Sequence, residues 1–466
     1  MSTNNHRPDV VELLEQHAPD AMSLNQRHLN PQLGRVLRTL GFDRDWAHGR
    51  GPWLIDREGH EYLDLLSGYG VFALGRNHPY VKRQLQRVLE ADTPSLPQLG
   101  LSTLAGVLAE ELIGRTPSSL DAVVLTSSGT ESVEGALKLA RAATRRARIL
   151  YCERGFHGLT MGALSVNGNE EFRERFGPLL SDCNEVPFGD LDALQRELRR
   201  GDVAALIVEP VQGKGVYLAP DDYLPGALEL CHEAGALLIV DEVQTGLGRT
   251  GRFLALEHWG IEPDLVALSK ALSGGYVPAG ALLTSRNVFR ATFDSMERSV
   301  VHGSTFGGGD LAAAAALAAL AVIDRDGLVA RAADLGQLLL ELTRPFVERF
   351  EIVRDVRGLG LMWALELGPP SGRTARLVWE AIERRQPGLF AQLVIVPLFR
   401  DHRILTQVAG HHMNVIKVLP PLIIDEAELR RFVDALEQVL ESAEGHMLRR
   451  YASLGMDMGL RSLTSR

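Results

Sequence analysis

The stretch ALLIVDEV, residues 236–243, is a short apolar run that ends on a carboxylate, Asp241. An apolar segment of this length reads as a strand buried on both faces, and such strands belong mostly to parallel sheets. Just before it, DYLPGALELCHEAG (222–235) is a helical stretch closed by glycine, and AALIVEPV (204–211) is a second buried strand. Strand, helix and strand alternate in this manner over roughly 120–300. The pattern predicts an α/β fold, a mostly parallel sheet with helices on both faces. Open sheets of this kind bind ligands at the carboxyl ends of their strands. Asp241 stands at such an end, where a buried carboxylate is costly without a cationic partner. Taken alone, an aspartate there serves equally well as a structural cap.

Working outward, residues 1–50 read as helical and then irregular, before a strand pair around WLIDREGHEYLDLLSG (53–68). Beyond about 326 the chain turns to helices with short strands, as in EIVRDVRGLGLMWALEL and EAELRRFVDALEQVL. The expected organisation is an N-terminal segment (1–50), a large α/β domain (91–325) and a smaller α+β domain drawn from both ends (51–90 and 326–445). A basic tail, 446–466, follows; it is expected to pack on the surface or be partly disordered, with a weak amphipathic pattern leaving a membrane-binding helix as the alternative. The run LAAAAALAALAVI (311–323) is too short to span a bilayer and reads as a buried helix.

The 466 residues are 45% hydrophobic and 23% charged, the balance of a soluble globular protein. A net charge of −10 argues against a nucleic-acid or anionic-membrane partner. Three scattered cysteines with no C-x-x-C suggest neither a disulfide framework nor a zinc site, and with no signal peptide a cytoplasmic setting is expected. His411-His412 could pass for metal ligands, but neighbours on a strand face apart, so a loop or substrate-entrance role is expected and no metal.

Three features then fall in a telling order. TSSGTESVEGALKLAR (126–141) follows the strand AVVL and opens a helix, so Ser128, Gly129 and Thr130 present N–H groups and hydroxyls to an anion. The same S-x-x-E pattern is also an ordinary capping box. Asp241 comes next, with Gln244 three residues on, able to reach the same ligand. Lys270, in the apolar run ALSKALSGG (267–275), lies 29 residues beyond Asp241, room for about one helix and one strand. An amine held among apolar side chains favours its neutral, nucleophilic form, which Schiff-base chemistry requires. The bland alternative is a lysine that snorkels to the surface. Phosphate cradle, carboxylate and lysine are together the three handles that hold pyridoxal phosphate.

With these residues in place, the chain resembles the class III pyridoxal-phosphate aminotransferases, of fold type I, over about 30–440. The matching stretches are SSGTESVEGALKLAR, FHGLTMGALS, VEPVQG, IVDEVQTGLGRTG, SKALSGG, HGSTFGG, VRGLGLMWALEL and LPPLII. The resemblance implies that Lys270 is the Schiff-base lysine and proton shuttle, and Asp241 the partner of the pyridinium nitrogen. It also implies that Gln244 meets the ring hydroxyl, that Ser128, Gly129 and Thr130 hold the phosphate, and that Phe156 stacks on the ring with His157 beside it. Thr305 matches the threonine that reaches the cofactor of the neighbouring subunit, which implies a homodimer. Glu209, before Pro210, is a supporting candidate.

The departures bear on substrate. Ornithine, acetylornithine and 4-aminobutyrate members resemble this chain but carry a carboxylate-binding arginine where it has Leu159. Where they often have a Glu–Arg bridge, it has Lys214 and Lys417, two cations that cannot pair; either could meet a donor carboxylate, the alternative being that one simply points to solvent. The expected reaction takes an amino group from an amino-acid donor of the glutamate or ornithine type to a terminal aldehyde or ketone on an uncharged, hydrophobic substrate. Putrescine aminotransferases are similar around FHGLTMGALS. FGPLL (176–180), LFRDHRILTQ (398–407) and 25–46 resemble members of lipid and secondary metabolism, such as hopanoid side-chain aminotransferases. A putrescine or ornithine ω-aminotransferase and an aminomutase are the alternatives, since fold does not fix reaction.

Overall fold

The protein is described from a computed structural model over residues 9–96, 100–385 and 387–445. Three strands come first, β1 (Trp46–Arg50), β2 (Trp53–Asp56) and β3 (Glu61–Asp64), paired as an antiparallel meander. The first of them lies within the segment read as irregular: its residues Trp46 and His48 are a poor strand pattern, and pairing to β2 decides their conformation. The central sheet is built from β4 (Ala122–Thr126), β5 (Arg148–Cys152), β6 (Cys183–Val186), β7 (Val203–Val208), β8 (Leu237–Asp241), β9 (Leu265–Leu268) and β10 (Gly280–Thr284). Their spatial order is β4-β10-β9-β8-β7-β5-β6. Only β10 runs against its neighbours, so β4, β5, β7, β8 and β9 share one carboxyl edge. Every residue of β5, β7, β9 and β10 is buried, which is why these strands lack polar alternation.

A second antiparallel sheet contains β11 (Val353–Leu359), β12 (Met362–Leu367), β14 (Gln407–Val408) and β15 (Val415–Val418). The two-residue strand β13 (Ile404–Leu405) crosses to the other chain end and lies parallel to β3. A strand from each end of the chain is thereby joined in one sheet.

The alanine-rich helix Asp310–Arg325 buries eleven of its sixteen residues and packs against the turn that carries Lys270. Small side chains let the two backbones come close, and Leu320 and Ile323 supply the apolar area, each worth ~1.5–3 kcal/mol of burial. Among the described residues no helix is long and apolar enough to cross a membrane. The basic tail, 446–466, lies outside the described residues.

One expectation fails between Asp241 and Lys270. No α-helix fills that interval; turns and a short 3-10 helix, Ala255–His258, connect β8 to β9. The cause is local. Gly248 and Gly251 take φ of +92° and +85°, and a Cβ at Gly251 would stand 2.8 Å from the Cα of Ala333. Left-handed backbone pressed against a neighbouring helix leaves no room for a helical path.

Candidate active site

The shared carboxyl edge gathers the chemistry. Ser128 follows β4, Phe156 and His157 follow β5, Glu209 follows β7, Asp241 ends β8 and Lys270 follows β9. Sequence separations of up to about 140 residues are thus closed by pairing within one sheet, parallel from β5 to β9 and through antiparallel β10 to β4.

Asp241 is 4% exposed, and the side chain that partners it in this burial is His157. The Oδ2 atom stands 2.8 Å from His157 Nδ1, while Oδ1 accepts the Val243 N–H at 3.0 Å. Burial would depress the imidazole's pKa, but the hydrogen bond and charge of Asp241 outweigh it and hold His157 above its ordinary value. His157 Nε2 is buried and without a partner among the described residues. The resemblance implies His157 beside the ring; what the structure shows of it is the hydrogen bond to Asp241. Glu209 is the third buried group here. Its carboxylate accepts from Phe156 N at 2.9 Å and from Gly213 N at 2.8 Å, so one side chain anchors two loops. Burial, reinforced by Asp241, raises its pKa.

Lys270 opens the 3-10 turn Lys270–Ser273 with φ of +43°, a conformation unusual for a residue with a side chain. Such backbone is held where the surroundings over-determine it. Here the Ser269 hydroxyl donates to Ala279 O at 2.7 Å, locking the preceding residue to β10. Burial lowers the ammonium's pKa, and the Asp241 and Glu209 carboxylates offset it only in part. The expected shift toward a neutral amine is therefore present.

The helix Gly129–Thr144 begins two residues beyond β4. Ser128 caps it, its hydroxyl accepting from Glu131 N at 3.3 Å, but the reciprocal half of a capping box is displaced. The Glu131 carboxylate accepts instead from Ser127 N at 2.9 Å. The first-turn N–H groups of Gly129 and Thr130 have no carbonyl one turn earlier to bond, as at any helix start. A Cβ on Gly129 would lie 2.8 Å from Val243 Cγ1, so glycine lets the helix start sit against the loop after Asp241. Thr130 Oγ1 lies 2.7 Å from Thr160 Oγ1, tying the helix start to the loop that follows His157.

The remaining residues are placed less uniformly. Gln244 reaches the site's edge with both amide atoms engaged, Nε2 donating to Tyr69 O at 3.0 Å and Oε1 accepting from Lys417 Nζ at 2.6 Å. Lys417, on β15, is 2% exposed and also donates to Gly213 O at 2.6 Å. Burial, and then the charge of Lys270, hold its pKa well below the ordinary value. Lys214 lies over the rings of Phe156 and Phe172, 5.3 and 4.7 Å from their centroids. Leu159 is 57% exposed. Thr305 is exposed and adjoins Ser304, whose hydroxyl is 2.9 Å from that of Ser127.

Phe172 and the Ser127–Ser304 contact carry no signal in the sequence beyond the motifs around them. Nor do the neighbouring histidines lie on a strand. They occupy a turn, His412 at φ +57°, and His411 meets the edge of Phe172 at 5.4 Å.

A lysine poised toward neutrality, a buried carboxylate backed by imidazole and a helix start with unsatisfied N–H groups share one sheet edge. They fit a phosphorylated aldehyde cofactor with a ring nitrogen: a place for the aldehyde, one for the nitrogen, one for the phosphate. The chain belongs to the class III aminotransferases, whose family model, Aminotransferase class-III, matches residues 41–440. It is 37% identical over 93% of its length to aminotransferase PigE of Serratia sp. (strain ATCC 39006), but spans only 54% of that relative. It is 36% identical to a putrescine aminotransferase of Pectobacterium atrosepticum, covering 94% of this chain and 92% of the other.

Among solved structures, the ornithine aminotransferase of Toxoplasma gondii ME49 superposes with a TM-score of 0.80 at 29% identity, over 94% of this chain and all of that one. An amine transaminase from an uncultivated Pseudomonas species, in its pyridoxal-phosphate-bound form, does so with 0.75 at 32% identity, over 85% and 94%. The fold is that of the type I pyridoxal-phosphate transaminases, and the activity class is aminotransfer with that cofactor.

Proposed function

We propose that this chain transfers an amino group from an amino-acid donor to the terminal aldehyde or ketone of an uncharged, hydrophobic acceptor. Lys270 is the attachment point for the cofactor and Asp241 the partner of its ring nitrogen, kept in place by His157. Ser128, Gly129 and Thr130 take the phosphate, Phe156 covers the ring and Gln244 lies beside it. Thr305 serves the site of a second copy, which makes the working unit a homodimer in the cytoplasm. The domain division proposed is that of the sequence pattern, with the large domain at 91–325.

When bound, pyridoxal phosphate supplies the electron sink that makes the donor's C–H acidic. The protein supplies the rest. Lys270 Nζ accepts the proton from the donor's amine-bearing carbon and returns it as general acid, which its lowered pKa favours near neutrality. The negative charge of Asp241, shielded from water and fixed by two hydrogen bonds, favours a protonated ring nitrogen without reorganising during the reaction.

The observation that carries the acceptor reading is Leu159. It stands exposed on the loop between His157 and Thr160, with Met161 also exposed, where a carboxylate-binding cation would be expected for an acidic substrate. An apolar wall there offers an anion nothing and an alkyl chain a surface to cover. The test is the cofactor's visible absorbance in the purified holoenzyme while glutamate, ornithine, alanine and putrescine are added singly. Bleaching by an amino acid, followed by recovery with a long-chain aldehyde, is expected. Bleaching by putrescine alone would move the enzyme to diamine chemistry, and an amine shift needing no acceptor would make it an aminomutase. Lys270→Ala is expected to lack both the band and activity, a drop of at least about 10⁴-fold in rate.

A further inference from the structure

Around the candidate site lie three lysines, and their surroundings differ. Lys270 is claimed by the cofactor. Lys417 is buried and donates to Gly213 O and Gln244 Oε1, both at 2.6 Å. Lys214 is half-buried and, among the described residues, has no oxygen within hydrogen-bonding or ion-pairing distance; Glu171 and Glu209 act on it only from further away. Its contacts are aromatic. The ammonium lies 4.7 Å from the Phe172 centroid and 5.3 Å from that of Phe156, and the two rings meet edge to face at 5.3 Å. His411 also packs against Phe172, with ring centroids 5.4 Å apart.

Such a pair of ring faces is the ordinary recognition site for a ligand ammonium. In this chain the place is taken from within. The assembly is also held rigidly: the Glu209 carboxylate grips Phe156 through its N–H and Gly213, the residue before Lys214, through another. Lys214 therefore presents a fixed, unneutralised ammonium beside the ring proposed to cover the cofactor.

We propose that Lys214 receives the carboxylate of the amino-acid donor and, by filling the aromatic cage with its own charge, excludes the second ammonium of a diamine. This rests on the reading that the donor is an amino acid. It makes putrescine a poor donor for this chain, in contrast to the activity for which the relative from Pectobacterium atrosepticum is named. Among the described residues Lys214's three N–H donors have no protein acceptor, so a donor carboxylate can take them, whereas a diamine brings a like charge to an occupied cage.

The experiment is half-reaction kinetics on the holoenzyme with the best of glutamate, alanine and ornithine, with putrescine, and with n-butylamine, which has neither carboxylate nor second charge. In Lys214→Met, kcat/KM for the amino acid is expected to fall about tenfold to hundredfold, mostly through KM, and that for putrescine to rise about tenfold. n-Butylamine should change by less than about threefold, and Lys214→Arg should regain most of the amino-acid preference. Unchanged KM for the amino acid in Lys214→Met, or an equal loss with n-butylamine, overturns the assignment of Lys214 while leaving the donor reading intact. Wild type that reacts with putrescine and with no amino acid overturns the donor reading itself.

Discussion

The floor of the candidate site and its mouth are built on opposite principles. On the floor the carboxylates and the buried lysine of β15 are engaged: Asp241 with His157, Glu209 with two N–H groups, Lys417 with two oxygens. The mouth exposes uncharged side chains, Leu159, Met161 and Tyr69. A floor so interlocked tolerates little change, and it serves one cofactor whatever the substrate. An apolar mouth on a loop can change side chains freely, and that is where the proposed choice of acceptor is made.

The contrast can be broken from below. Asp241→Asn keeps the shape and the bond from Val243 N but removes the charge. It is expected to lower kcat about 10²- to 10³-fold with little loss of thermal stability, measured by steady-state kinetics and calorimetry. The His157 pKa should fall in that variant, since Asp241 is what raises it; a histidine titration by NMR checks the point.

From above, Leu159→Arg sharpens the contrast. The position is exposed, so stability should move by no more than ~0.5 kcal/mol. Activity toward an acceptor with a distal carboxylate should rise about tenfold, and toward a long-chain aldehyde fall by a similar factor. Unchanged selectivity would place substrate recognition elsewhere.

The smallest effect concerns a floor residue with no proposed chemistry. Glu242 is fully buried, accepts from Leu256 N at 2.7 Å and from the Thr245 hydroxyl, and burial pushes its pKa up to about 7. In the unfolded chain it titrates near ~4.3. Between those values the folded protein holds a proton that the unfolded chain has released, so stability falls as pH rises through the window and the loss is complete above about 7. Glu242→Gln should remove that slope, its melting temperature gaining on wild type by at most a few degrees from pH 4.5 to 7.5.

Much of this was legible in the linear chain. Buried strands announce themselves by unbroken apolar runs, and ALLIVDEV and AALIVEPV needed no partner to be read. Ser128, Asp241 and Lys270 stood out because each sits where an apolar strand stops. What escaped were contacts made by folding. The His157–Asp241 pair spans 84 residues, and no periodicity links a histidine after one strand to an aspartate ending another. Phe172 joins the cage only because its short helix folds back toward Gly213. The missing helix between Asp241 and Lys270 was hidden in its glycines, whose left-handed geometry depends on a neighbour, Ala333, far along the chain. Of Lys214 and Lys417, equal in sequence, burial alone decided which is already bound.

The joining of the two chain ends has a temporal side. The Ser67 hydroxyl bonds Leu419 O across 352 residues, and Trp53 donates to Glu428 across 375. A ribosome adding ~5–20 residues per second needs roughly 20–70 s to make that much chain. For all of that time the β3 edge of the first meander stays open, awaiting the two residues of β13. The nascent protein must therefore shelter an early strand edge until Ile404 and Leu405 emerge, and that interval is when it is most exposed to pairing with another chain.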